Sequence, residues 1–112
     1  MTARPPRLFR RHRRRLPLRY RLDGASDWRA GFTGDFGAGG LWVNGRHPRT
    51  PKQRIELKVD LPEGRVVSVL GRVSWSKEVP RGLEAHARSG FGMIIESADE
   101  DWYRYLADLE VA

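Results

Sequence analysis

Apolar and polar residues alternate one by one along much of this chain, the pattern of strands that hold one face in a core and the other in water. The clearest stretch is Ile55-Glu56-Leu57-Lys58-Val59-Asp60-Leu61, which sets every aliphatic on one side and every charge on the other. Shorter strand-like runs precede it at residues 16–22, 28–36 and 41–43, each bounded by Gly, Asn, Asp or Pro. After the turn Pro62-Glu63-Gly64, alternation assigns Val67, Val69, Gly71, Val73 and Trp75 to one face of a long strand. Gly71 in its middle predicts a bend or a close backbone approach, as a barrel corner requires. Residues 91–95 form a further apolar run of strand length, and 76–90, with Pro80, Gly82 and Gly90, read as the connection to it. Only the C-terminus carries a helical period, with Trp102, Tyr105, Leu106 and Leu109 on one stripe suited to closing an end of a barrel. Ser97-Ala98-Asp99-Glu100 matches a capping box, in which the Ser97 hydroxyl accepts from the Glu100 amide, and the acidic first turn suits the positive helix end.

Six strands and one short helix in 112 residues predict an all-β domain with a single core. Charge changes that picture at one end. The net charge is +7, yet residues 1–21 hold nine arginines and no acid, while the remainder holds twelve basic groups against fourteen acidic ones. An arm of this kind seeks an anion, whereas the body behaves as an ordinary domain. Residues 1–10 hold too few long apolar side chains to be ordered by burial, so they are expected to form a flexible basic arm ahead of one domain at 11–112. Cysteine is absent, which excludes disulfides and thiolate chemistry. No apolar run approaches the length of a spanning helix, and the N-terminus lacks a secretory apolar stretch, so a cytoplasmic protein is expected.

Catalysis finds little support. His12, His47 and His86 fall on the arm or in connections, none at metal-ligand or triad spacing, and read as solvated surface residues. Asp99, Glu100 and Asp101 are adjacent rather than opposed, which fits a helix end better than acid–base work. The segment Thr33-Gly34-Asp35-Phe36-Gly37-Ala38-Gly39-Gly40 is dense enough in glycine to cradle a phosphate. It lacks the Lys-[Ser/Thr] of a nucleoside-triphosphate loop, and by itself it also suits a tight turn between strands.

The glycine turn does not stand alone. Arg10-Arg11-His12-Arg13-Arg14-Arg15 lies directly ahead of the first strand, and Asp35-Phe36-Gly37-Ala38-Gly39-Gly40 follows about twenty residues later. This order resembles the PilZ family signature, Arg-x-x-x-Arg followed by [Asp/Asn]-x-Ser-x-x-Gly, with Arg11 and Arg15 as the motif arginines and Asp35 and Gly40 in the second motif. Gly37 stands where the family has serine. Gly71-Arg72-Val73-Ser74-Trp75, then Gly90-Phe91-Gly92-Met93-Ile94-Ile95, and the terminal helix are similar in order to the family's last strands and helix, so the likeness spans roughly residues 10–110.

The resemblance implies a small six-stranded antiparallel PilZ-type β-barrel with a short C-terminal α-helix, and a non-enzymatic receptor for cyclic di-GMP. The implied ligand residues are Arg10, Arg11, Arg15, Asp35, Gly37 and Gly40, with no catalytic or metal-binding set and no cofactor. Guanidinium groups fork onto phosphate and onto guanine O6 and N7, and Asp35 can accept from the guanine Watson–Crick edge. An extra arginine at Arg10 points to a stacked ligand pair. The implied output is contact with a downstream protein. Two rivals remain: a PilZ-like interaction module that has lost its nucleotide, suggested by Gly37, and a basic arm gripping nucleic acid without sequence preference.

Overall fold

Strand alternation becomes a closed barrel in the computed structural model, which describes residues 10–45, 50–83 and 87–111. The elements run β1 (His12–Arg13), β2 (Pro17–Leu22), β3 (Arg29–Phe36), β4 (Gly40–Asn44), β5 (Arg54–Asp60), β6 (Val66–Lys77), β7 (Gly90–Ala98) and α1 (Glu100–Val111). Every pairing is antiparallel. The order β3-β2-β5-β6-β7-β4 returns to β3 through the β3–β4 pairing, which makes a closed six-stranded barrel, and β1 adds two residues beside the end of β3. The expected barrel is therefore present. Nine of the ten residues of the predicted arm, together with His47 and His86, lie outside the described residues.

Closure follows from the pattern of side chains. Leu18 and Tyr20 of β2, Phe36 of β3, Leu41 and Val43 of β4, Ile55, Leu57 and Val59 of β5, Val67, Val69 and Val73 of β6, and Phe91 and Met93 of β7 all point inward and are buried. Helix α1 covers one end of this core by burying Trp102 and Leu106, with Tyr105 and Leu109 packed partly against it. The Trp102 ring lies 5.2 Å from that of Phe36, so the helix sits next to the end of β3 and to the arm that follows its edge.

Two register shifts shape β6 and β7. Leu70 faces Ser97 but Gly71 faces Ile95, so an extra residue on β7 bends the sheet beside Gly71. A Cβ on Gly71 would lie 2.1 Å from the Ile94 carbonyl oxygen, the close backbone approach that its position in the strand predicts. Val73 faces Met93 but Trp75 faces Gly92, so the extra residue is now on β6. One inserted residue inverts the side-chain alternation beyond it. Trp75 accordingly leaves the core face where alternation had put it and stands on the outside of the barrel, 53% exposed.

The start of α1 also differs from its sequence reading. Ser97 remains in β7, paired with Leu70, and the helix begins after Asp99. Asp99 is tied to β6 in both directions: its amide donates to the Ser68 carbonyl, and its carboxylate accepts from the Ser68 amide. The strand continues until this clamp stops it, which takes Ser97 out of reach of a cap.

Candidate functional site

The root of the arm is fixed by one buried threonine. Thr33 is 2% exposed, and its Oγ1 accepts from the Leu16 amide and donates to the Arg14 carbonyl, while its own amide donates to the Leu16 carbonyl. Satisfied on all sides, it holds residues 14–16 against β3 and sets the direction in which the neighbouring arginines leave the barrel.

Ahead of this anchor, β1 pairs His12 with Phe36 and Arg13 with Asp35. The arm therefore runs beside the glycine turn. Arg11 Nη2 lies 3.2 Å from Asp35 Oδ1, and Arg11 Nη1 donates to the Gly40 carbonyl at 3.2 Å. The turn is closed by the Gly37 amide donating to the same carbonyl at 2.9 Å. A Cβ on Gly37 would sit 3.3 Å from Arg11 Cδ, so the glycine leaves the room that the arginine side chain takes. The structure thus gathers Arg11, Asp35, Gly37 and Gly40 into one cluster.

Arg15 and Arg10 go elsewhere. The Arg15 guanidinium stacks over the Phe32 ring at 4.1 Å. It shares with Asp35 a cleft of about 600 Å³ that is also lined by Arg13, Arg14, Trp42, Trp75 and Arg88. The Arg10 carbonyl lies beside Gly37, but the Arg10 amide and guanidinium are held by Glu110 of α1. Of the six residues singled out in the sequence, five therefore stand around Asp35 and the cleft beside it, and the sixth, Arg10, borders the turn by its backbone but turns its guanidinium to α1.

The cleft adds residues that alternation and motif did not single out. Trp42 and Trp75 stack with centroids 4.3 Å apart and planes 21° apart. They rest on backbone stripped of side chains: a Cβ on Gly34 would lie 2.2 Å from Trp42, one on Gly90 2.8 Å from Trp42, and one on Gly92 2.4 Å from Trp75. The Trp42 indole N–H donates to Asn44 Oδ1 at 2.7 Å, which fixes its rotation. Trp42 was within reach of the sequence, because its neighbours Leu41 and Val43 point inward. Trp75 was hidden by the inserted residue in β6, and Arg88 carries no local signal.

Electrostatically the cleft is a cluster of cations. Among the described residues, Arg13, Arg14, Arg15 and Arg88 have no carboxylate at ion-pair distance. Burial pushes the Tyr105 phenol above its ordinary pKa, and the Arg14 charge works against that shift. Guanidinium groups, indole faces and one carboxylate suit a planar anionic molecule with N–H groups to offer. Among the described residues, no group of three His, Cys, Asp or Glu side chains could hold a metal ion, and no helix is long and apolar enough to cross a membrane.

Comparison with known proteins bears on this arrangement. A family model described as the PilZ domain matches residues 6–109. Among solved structures, the Bacillus subtilis inhibitor of motility (MotI/DgrA) superposes with a TM-score of 0.70 at 14% identity, covering 95% of this chain and 50% of that one. The chain thus spans half the length of that neighbour. No curated protein matches the sequence.

Proposed function

Since the chain belongs to the PilZ domain family, whose members form a family of cyclic di-GMP receptors and adaptors, we propose that it binds cyclic di-GMP on the outer face of β3 and β4 and signals by protein contact. The observation that carries this reading is the single guanidinium of Arg11 bridging Asp35 and the Gly40 carbonyl at the edge of a cleft lined by four further arginines. The cleft volume of about 600 Å³ suits a small-molecule ligand.

Each part of the ligand has a group to meet it. Arg11 and Arg15 supply forks for phosphate oxygens or for guanine O6 and N7. Asp35 accepts from guanine N–H groups once Arg11 turns to the ligand. The Trp42–Trp75 pair offers a flat surface for a purine, and base–aromatic stacking is worth about 1–3 kcal/mol per base. Gly37 and Gly40 keep the backbone of the turn low, so that a ligand can approach the turn closely. Ligand anions neutralise the arm and draw it across the cleft, which alters the surface that a partner protein meets. No step of this mechanism makes or breaks a bond. The reading places the protein in the bacterial cytoplasm, where the messenger is made.

The test is a thermal-shift series with cyclic di-GMP, GTP and single-stranded DNA. A rise in Tm with cyclic di-GMP that Asp35→Asn removes is the expected result. A rise with DNA alone, steeply reduced by salt and indifferent to Asp35→Asn, would assign the arginines to nucleic acid instead. No shift with any of the three would leave a protein-interaction module.

A further inference from the structure

Arg10 and His12 belong to the arm, yet both are bound to the last turn of α1. The Arg10 amide donates to Glu110 Oε1 at 2.5 Å, Arg10 Nε lies 3.3 Å from Glu110 Oε2, and His12 Nε2 lies 2.9 Å from Glu110 Oε1. His12 is additionally packed against the Phe36 ring, with centroids 6.2 Å apart. The position of the acid makes these contacts informative. A carboxylate at the C-terminal end of a helix faces the negative end of the helix dipole, and the last turn of α1 holds no basic residue to offset it. The groups that do so, the Arg10 amide and guanidinium and the His12 ring, come from the arm, about a hundred residues earlier in the chain. The Arg10 amide bond, outweighing partial desolvation and reinforced by His12, holds the Glu110 carboxyl below the usual carboxylate range.

These contacts create a competition. An anionic ligand drawn to Arg10 must either take its guanidinium from Glu110 or bring a second negative group within a few ångströms of that carboxylate, and both outcomes oppose binding. We infer that Glu110 competes with the captured anion for the arm's Arg10, so that ligand binding uncovers the C-terminal turn of α1. By reciprocity, whatever Glu110 takes from ligand affinity, the ligand takes from the contact between arm and helix. The end of α1 then becomes the part of the surface that reports occupancy to a partner. This inference rests on the receptor reading for the identity of its ligand, but not for the competition itself.

The test compares wild type, Glu110→Gln and the control Glu100→Gln by calorimetry. Glutamine at 110 keeps an acceptor for the Arg10 amide and loses the charge, whereas Glu100 lies at the other end of α1 and pairs with Arg104. Glu110→Gln should bind cyclic di-GMP about fivefold more tightly than wild type, with Glu100→Gln unchanged. Equal or weaker binding by Glu110→Gln would overturn the inference, the weaker case showing that Glu110 preorganises the arm. The same three proteins are titrated at low salt with inorganic pyrophosphate, a multiply charged anionic probe without a base. If wild type ignores cyclic di-GMP the receptor reading falls, yet Glu110→Gln must still bind pyrophosphate more tightly, and an equal affinity sinks the competition as well. Amide exchange at residues 107–111 should accelerate on saturation of wild type with whichever of the two probes binds. Unchanged or slower exchange there would refute the uncovering of the helix end.

Discussion

The arginines on the two sides of the barrel lead different lives. On the β2, β5 and β6 side most have an acid: Arg21 with Glu56 at 2.7 Å, Arg54 and Arg72 with Glu96, and Arg65 with Asp101, while Arg19 lies over the Trp28 ring. On the β3 and β4 side, Arg13, Arg14, Arg15 and Arg88 converge on a cleft whose one carboxylate, Asp35, is already engaged by Arg11. The chain as a whole has enough acids to pair more of them, since it carries fourteen against twenty-one basic residues. Among the described residues, their distribution leaves one face with most of its arginines paired and the other with a cluster of arginines that have no acid. A count of charge would miss this, because both faces are rich in arginine.

That contrast can be broken or sharpened by substitution. The largest effect is expected from Arg11→Ala with Arg15→Ala, which should abolish calorimetric heats with cyclic di-GMP. Each lost charged hydrogen bond is worth about 1.5–3 kcal/mol, or roughly ten- to a hundredfold in affinity. Next comes Trp75→Ala, which should weaken binding by about tenfold through lost stacking and remove any quenching of tryptophan fluorescence by the ligand. Thr33→Val should lower stability by about 1–2 kcal/mol in urea unfolding, because it strips the buried anchor from the Arg14 carbonyl and the Leu16 amide. It should also weaken binding, since residues 14–16 lose their fixed direction. The smallest effect belongs to the mostly paired face: Arg54→Ala, with a side chain 55% exposed, should change stability by less than about 0.5 kcal/mol and leave ligand affinity unaltered. A loss of ligand affinity in Arg54→Ala comparable to that of the first variant would erase the distinction between the two faces.

How far the sequence reveals this arrangement depends on the range over which each feature is determined. Residues 55–61 show β5 directly, because period-two alternation is a local consequence of one buried face. The glycine turn and its arginines are legible as a spaced motif, and the structure does bring Arg11 to Asp35 and Gly40. The stack of Trp42 on Trp75 is not legible, since it depends on one inserted residue in β6 that alternation cannot register. The helix cap was misread for a similar reason. Ser97 fits the local pattern, but the pairing of Asp99 with Ser68 on another strand decides where β7 ends. The attachment of Arg10 to Glu110 joins residues at opposite ends of the domain, and no local signal foretells it.

The double engagement of β7 has a consequence for how the molecule comes into being. Among the described residues, 90–98 are the stretch that pairs with both β6 and β4, so they are the last stave of the cask. Until that stave has left the ribosome, two strands present raw backbone to their surroundings, and any neighbouring nascent chain with a similar sequence can fill the gap. Assembly dominated by such distant partnerships is slow, in the millisecond-to-second range typical of small barrels. Shelter during synthesis thus matters more for this protein than its modest size suggests.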